Sequence, residues 1–365
     1  MNVVILGAGV IGSAIAYYLS RKGLPATVIE RCGIACAASG KSGGFLARDW
    51  CVGQPQEQLA LLSFDLHSDL PRELSQDYGY RRVNTYQVAL SDRRTMTSRH
   101  LIGAGDWIDG TAPVQQQLGD TTTTAQLHPG EFTRALMNGA CQNGTNVIIG
   151  SVETIEFDHV QNKVTGVFVD NERIAADAVV IAMGPWSILA TQWLSLPAVY
   201  GLKGYSITLA PSGPVAAEAL FLDYEDAEGE RHGPELVPRA DGEVYLCGFS
   251  SDQPLPLAPE DVSVDHSACE RLRKLAGRIS STLTDATVTR QQACYRPICV
   301  DAMPLIGPVP GTPGAYIATG HNCWGILNAP GTGMAMAELI AEGQSKTLDI
   351  SRLTPGRLPS HHYGS

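Results

Sequence analysis

The first thirty residues constrain this chain more than any other stretch. Asn2 to Leu6 is an apolar, β-branched run, followed at once by Gly7-Ala8-Gly9-Val10-Ile11-Gly12 and then by Ile11, Ala14, Ile15, Tyr18 and Leu19 at helical spacing. That order predicts a strand, a glycine turn and a helix closing at Gly23. A second apolar run, Ala26 to Glu30, ends on an acid 18 residues after Gly12. Each glycine has a task. Gly7 lets the chain turn tightly, Gly9 lets a pyrophosphate approach the backbone, and Gly12 lets helix and strand pack closely. Val10 and Ile11 open the helix, whose free N–H groups and partial positive charge suit an anion. Glu30, followed by Arg31, can accept hydrogen bonds from a ribose diol, which favours an adenosine with a free 2'-hydroxyl. The motif therefore points to FAD or NAD and does not choose between them.

Composition limits the alternatives. At 365 residues the chain is long enough for about two domains, or for one large interleaved body. Lys and Arg number 26 against 37 Asp and Glu, a net charge of -11, and no basic run follows a phosphate backbone or an anionic lipid surface. Nucleic acid is thus not an expected partner. With 44% apolar and 17% charged residues, the chain buries a large core. The nine cysteines are scattered without a CxxC spacing, so neither a disulfide framework nor a zinc site is expected, and a reducing compartment such as the cytoplasm fits. No apolar run is long enough to span a membrane, and the first strand leaves no room for a signal peptide. A soluble protein is expected, with an organelle left open should a transit segment have been removed.

After Glu30 the pattern departs from a compact nucleotide domain. Ala37 to Gly44 is a loop of small residues around Lys41, and the N–H groups and hydroxyls of Ser39, Ser42, Gly43 and Gly44 can wrap the second half of an extended cofactor. Val147 to Ile149, Val164 to Val169, Ala178 to Gly184 and Ala315 to Thr319 read as further strands, and a helix is expected over Thr332 to Glu342, opened by Gly331 and Gly333. Tyr86 to Leu90, Tyr205 to Leu209 and Glu243 to Cys247 read as antiparallel strands.

These motifs together resemble the FAD-dependent oxidoreductases of the D-amino acid oxidase superfamily, which includes glycine oxidase, monomeric sarcosine oxidase and D-amino acid dehydrogenase. The resemblance runs from Asn2 to about Gly343. It rests on GAGVIG with Glu30-Arg31, SGKSGG (Ser39 to Gly44), AMGPWS (Ala182 to Ser187), YRPICVDAMPLIGP (Tyr295 to Pro308) and ATGHNCWGILNAPGTG (Ala318 to Gly333). PELVPRADGEVYLCG (Pro234 to Gly248) looks nearest to a branch known only as oxidoreductases. The resemblance implies an α/β fold: a Rossmann-like FAD-binding domain from residues 1–74, 131–200 and 293–365, and an interleaved α+β substrate domain with an antiparallel sheet from 75–130 and 201–292.

It also implies a chemistry. A hydride would pass from the carbon beside a substrate nitrogen to flavin N5, the imine would be hydrolysed, and the electrons would go to oxygen or another acceptor. Val152, Ala182, Gly184, Trp186, Trp324, Gly325 and Ile326 join the cofactor-binding candidates. A helix opened by Gly331-Thr332-Gly333 would stabilise negative charge at the N1 end of the ring. Arg296, in the Arg-Pro motif, would grip a substrate carboxylate. Glu235 stands where the glycine oxidase pattern has a tyrosine, and an acid there would repel a carboxylate or attract a second cation. Tyr205 and Tyr245 are alternative pocket phenols, and Arg48 could meet an anionic substrate or a phosphate. His321 and Lys203 are the remaining catalytic candidates. Cys294, seven residues before Asp301, matches the spacing at which sarcosine oxidase attaches its flavin covalently. Two other readings stay open: an NAD-dependent dehydrogenase, and a non-catalytic flavin-binding or trafficking protein.

Overall fold

The computed structural model describes residues 1–96, 104–158 and 160–363. The apolar run at the amino terminus forms the buried strand Val3–Leu6, at the centre of a six-stranded sheet. Thr27–Glu30 and Asn146–Ile149 lie on one side of it, and Ala178–Ile181 and Ala315–Thr319 on the other, all five parallel. Leu305–Pro308 adds an antiparallel edge. This sheet is assembled from distant parts of the chain, as expected. Strand Lys163–Val169 does not join it. It belongs to a separate three-stranded antiparallel sheet with Val152–Asp158 and Glu172–Ala175, and the two sheets share a core that includes Val4, Val167 and Ile181.

The glycine turn has the expected geometry. Gly7 has φ +109, and a Cβ on Gly12 would lie 1.9 Å from the Gly7 carbonyl oxygen, so only glycine lets the Val10–Arg21 helix sit this close to its strand. The opposite face of the sheet is covered by Val10–Arg21, Pro129–Gln142 and Gly325–Glu342, with Glu57–Leu74 packed against the last of these.

The last helix starts earlier than its glycines suggest. It runs from Gly325 to Glu342, so Gly331-Thr332-Gly333 lies inside it and opens nothing. Pro330 also lies inside this helix, where a proline normally breaks the hydrogen-bond ladder. Here the break is repaired from outside. Pro330 has no N–H for the Ile326 carbonyl, and His67 Nε2 stands 3.0 Å from that oxygen and 3.1 Å from the Leu327 oxygen. One turn earlier on the same helix as His67, Ser63 Oγ accepts from the Gly331 N–H at 3.1 Å. Gly331 and Gly333 serve close packing instead: added Cβ atoms would lie 2.5 Å from Ser63 Oγ and 2.7 Å from the Ala14 backbone.

The second sheet runs in the order Thr287–Ile298, Tyr200–Ala210, Val244–Ser251, Glu235–Pro238, Glu218–Glu225, Asn84–Ser91, Val114–Gly119, with Arg231–His232 paired to Glu218–Glu225. It is antiparallel apart from one parallel pair, Glu218–Glu225 beside Asn84–Ser91. Helix His266–Ile279 packs one face through Leu272, Leu275 and Ile279, against Ile207, Leu209 and Leu246. Strand Thr287–Ile298 runs across the proposed domain boundary at 292/293, which places Cys294 and Arg296 on this second sheet. Cys32 and Cys36 are joined by a local disulfide that the scattered cysteines did not suggest, and seven cysteines are free. Among the described residues, no helix is long and apolar enough to cross a membrane.

Candidate active site

A cavity of about 980 Å³ lies between the two sheets. It is large for a small-molecule site, with room for a sizeable cofactor beside a small substrate. Its wall brings together every candidate site residue except Gly12, Lys41, Arg48 and Lys203.

At the nucleotide end the contacts follow from the strand–turn–helix unit. Glu30 accepts from the Ala8 N–H at 2.7 Å and from the Cys32 N–H at 3.0 Å, which fixes its carboxylate at the tip of its strand. Ser39 Oγ accepts from the Val10 N–H at 2.9 Å and ties the second loop to the helix start. Arg31 pairs with Glu260 at 3.2 Å on the rim. The loop is clamped from the second sheet. Tyr245 donates its hydroxyl to the Lys41 carbonyl at 3.1 Å, and Arg239 donates to the Ser42 carbonyl at 3.1 Å. Tyr245 is therefore a loop anchor, its phenol already committed. Arg239 escaped the sequence reading, although the turn at Asp241-Gly242 was a signal that it lies on a hairpin facing its strand partner.

At the other end the helix start matters. Trp324, Gly325 and Ile326 line the wall at the cap and first positions of the Gly325–Glu342 helix, which has no side-chain cap and no acid in its first turn. The positive end of the dipole is therefore at Gly325 and faces the cavity, not at Gly331. His321 is 3% exposed, its Nε2 is 3.1 Å from Thr332 Oγ1, and burial pushes its pKa down to about 3. A neutral imidazole shapes this wall, and its low basicity argues against a general base.

Strand alternation decides which side chains reach the cavity. On Thr287–Ile298, Cys294 and Arg296 face it while Ala293 and Tyr295 turn to the buried side. On Tyr200–Ala210, Lys203 shares the buried side with Tyr205 and Ile207. Its ammonium bonds Gln253 at 2.6 Å and Ser263 at 3.2 Å, stands near the rings of Tyr205 and Tyr295, and has its pKa lowered by burial. Lys203 is thus outside the cavity. Tyr205 reaches the lining, but its ring packs in the second core and its hydroxyl meets Ser251 Oγ at 3.0 Å. Arg48 is outside too, in an ion pair with Asp65 at 3.1 Å, and Lys41 turns to the Ala293 carbonyl at 3.3 Å.

Arg296 makes one side-chain hydrogen bond among the described residues, to Ser250 Oγ at 2.8 Å, and no carboxylate lies within ion-pair distance. Ser250 reaches it through a bulge in Val244–Ser251, where Phe249 takes the left-handed conformation at φ +57. Glu235 is half-buried on the cavity wall; desolvation pushes its carboxyl pKa up and the Arg296 field pulls it down. Burial also raises the Cys294 thiol, against the pull of Lys41 and Arg296. Phe45, Trp50, Phe221 and Trp324 form an aromatic wall, of which the sequence reading named only Trp324, with ring centroids 4.8 to 6.1 Å apart.

The profile of the DAO family, described as FAD dependent oxidoreductase, matches residues 2–339. The chain belongs to this family of FAD-dependent oxidoreductases. A protein of Schizosaccharomyces pombe assigned by name to the oxidoreductases is 30% identical over 380 residues, covering 97% of each chain. A glycine oxidase of Pseudomonas aeruginosa is 26% identical over 377 residues, covering 98% of this chain and 99% of its own. The crystal structure of glycine oxidase from Geobacillus kaustophilus superposes with a TM-score of 0.81 at 22% identity, over 97% of this chain and 98% of that one, and so shares the fold.

The DAO-family cofactor is FAD, which sets the nicotinamide reading aside. The residues present fit it. Glu30 offers a fixed anionic acceptor, and Ser42 Oγ, His321 Nδ1 and Asn322 Oδ1 are buried on the cavity wall without a hydrogen-bond partner among the described residues. The glycine turn, the Ser39–Gly44 loop and the Gly325 helix start are the segments that would hold it.

Proposed function

We propose that this oxidoreductase breaks the C–N bond of an amine or amino acid, giving an imine that water hydrolyses. The observation that carries the reading is Arg296: a guanidinium facing the cavity, anchored by Ser250 and, among the described residues, with no carboxylate within ion-pair distance. A planar fork in that state suits a carboxylate.

Bound FAD supplies the acceptor for two electrons. The chain's own residues do the rest. Arg296 takes a carboxylate and so orients the carbon beside the nitrogen, while the Gly325 helix start favours negative charge at the far wall. The neutral His321 and the aromatic wall keep water from the reacting atoms. Relatives named glycine oxidase support this assignment at the level of reaction class.

Anaerobic mixing of the flavin-loaded protein with a panel of amines and amino acids tests the proposal. Loss of flavin colour with at least one is expected, and Arg296→Met should weaken the apparent affinity for carboxylate-bearing substrates. No bleaching by any compound would favour a flavin-binding protein without chemistry. Rapid reoxidation of the reduced protein in air-saturated buffer would make it an oxidase, and very slow reoxidation a dehydrogenase.

A further inference from the structure

Among the described residues Glu235 is the one carboxylate in the substrate half of the cavity wall, half-buried and with neither an ion-pair nor a hydrogen-bond partner. No side chain donates a hydrogen bond to it, and no Lys, Arg or His lies within 4.0 Å. A half-buried carboxylate in that condition is partly desolvated and uncompensated, and a cation that meets it is favoured. The groups around it are known. Arg296 on the neighbouring part of the sheet acts on it through space but stands beyond ion-pair distance, and Cys247 and Cys323 are thiols whose pKa is raised by desolvation on the cavity wall and by the Glu235 charge. Cys247 is its cross-strand neighbour on one side and Phe221 on the other. The aromatic wall of Phe221, Trp50, Phe45 and Trp324 therefore begins beside the carboxylate.

We infer that Glu235 receives the cationic nitrogen of the substrate, and that the substrate carries a bulky apolar group lying against the Phe45–Trp50–Phe221–Trp324 wall. The inference rests on the amine-oxidising reading and narrows it to arylalkyl or similarly apolar amines and amino acids. A zwitterion of that kind satisfies both separated charges: its ammonium meets Glu235 and its carboxylate meets Arg296. A ligand with only a carboxylate leaves Glu235 repelling it. A ligand without the apolar group leaves the wall facing water.

The test is binding to the flavin-loaded protein, read from perturbation of the flavin spectrum, with 2-phenylethylamine, methylamine and 3-phenylpropanoate as probes. In the unaltered protein phenylethylamine should bind at least tenfold tighter than methylamine. Glu235→Gln should weaken phenylethylamine at least tenfold and tighten phenylpropanoate, while Glu235→Asp, which keeps the charge, should retain the preference for the amine. A change below twofold in Glu235→Gln overturns the inference, because glutamine mimics a carboxyl that is merely protonated. So does equal affinity for methylamine, or no perturbation by any probe. Should Glu235→Gln shed its flavin, the unaltered protein decides: preference for phenylpropanoate over phenylethylamine overturns the inference, and the reverse supports it. Bleaching is not part of this readout, so the amine can be bound as described even where the oxidation assay fails.

Discussion

Substituting His67 by leucine tests how the last helix is held against the cavity. His67 is completely buried, its ring lies 4.9 Å from that of Phe132, and its Nε2 serves the Ile326 and Leu327 carbonyls, so Nε2 carries the proton and Nδ1 is left without a partner. Leucine keeps most of the volume and removes the donor. Leaving buried carbonyls unsatisfied costs about 1–3 kcal/mol, and imperfect repacking against Phe132 brings the expected loss to about 2–3 kcal/mol. With an unfolding entropy of about 2.1 cal/mol/K per residue over 365 residues, that loss lowers the melting temperature by roughly 3–4 °C. Melting would be followed by circular dichroism at a fixed excess of FAD, because bound cofactor itself shifts the midpoint. The decisive arm is a double-mutant cycle with Pro330→Ala. Alanine restores an N–H that can bond the Ile326 carbonyl, so Pro330→Ala should return about 1 kcal/mol in the His67→Leu background and little alone. A coupling below about 0.3 kcal/mol would refute the proposed repair of the helix.

Acid should destabilise the fold in a defined window. His67 and His321 are pushed down by burial from 6.5 to about 4 and about 3. The unfolded chain then binds protons first, so their contribution is complete above about pH 6.5 and is lost as pH falls toward 4 and then 3. At about 1.36 kcal/mol per pKa unit the loss for His67 is roughly 3 kcal/mol; denaturation midpoints across pH should slope less in His67→Gln, and an unchanged slope would contradict the assignment. Lys203→Met should leave the rate of flavin reduction within about twofold, since the ammonium lies outside the cavity; a tenfold loss would return Lys203 to the site. Acid precipitation of the flavin-loaded protein should give a colourless pellet and a yellow supernatant, because burial holds the Cys294 thiol protonated. A yellow pellet would show the covalent attachment that its spacing suggested.

Local constraints were legible. The glycine turn, the acid at the end of the second strand and the buried strands at Ala178 and Ala315 are properties of short stretches, where sterics and side-chain period act on neighbouring residues. Lys203 was legible too. The alternation of Tyr205, Ile207 and Leu209 that marks their strand already puts Lys203 on their buried side. The start of the last helix was not legible, because Pro330 is tolerated only through His67 and Ser63, some 260 residues away in the chain.

By itself the sequence determined the strand–turn–helix unit at the amino terminus, because its apolar run, glycine spacing and helical period act on neighbouring residues. Tertiary structure decided how the far half of the cavity wall is put together. Arg296, Ser250, Glu235 and the four-ring wall come from strands and loops paired across the whole chain, and a single bulge at Phe249 sets which way Ser250 points. Pairing register has a period of two residues, so a shift of one position would turn those groups away from the cavity, and the strands that pair to set it lie far apart in the chain.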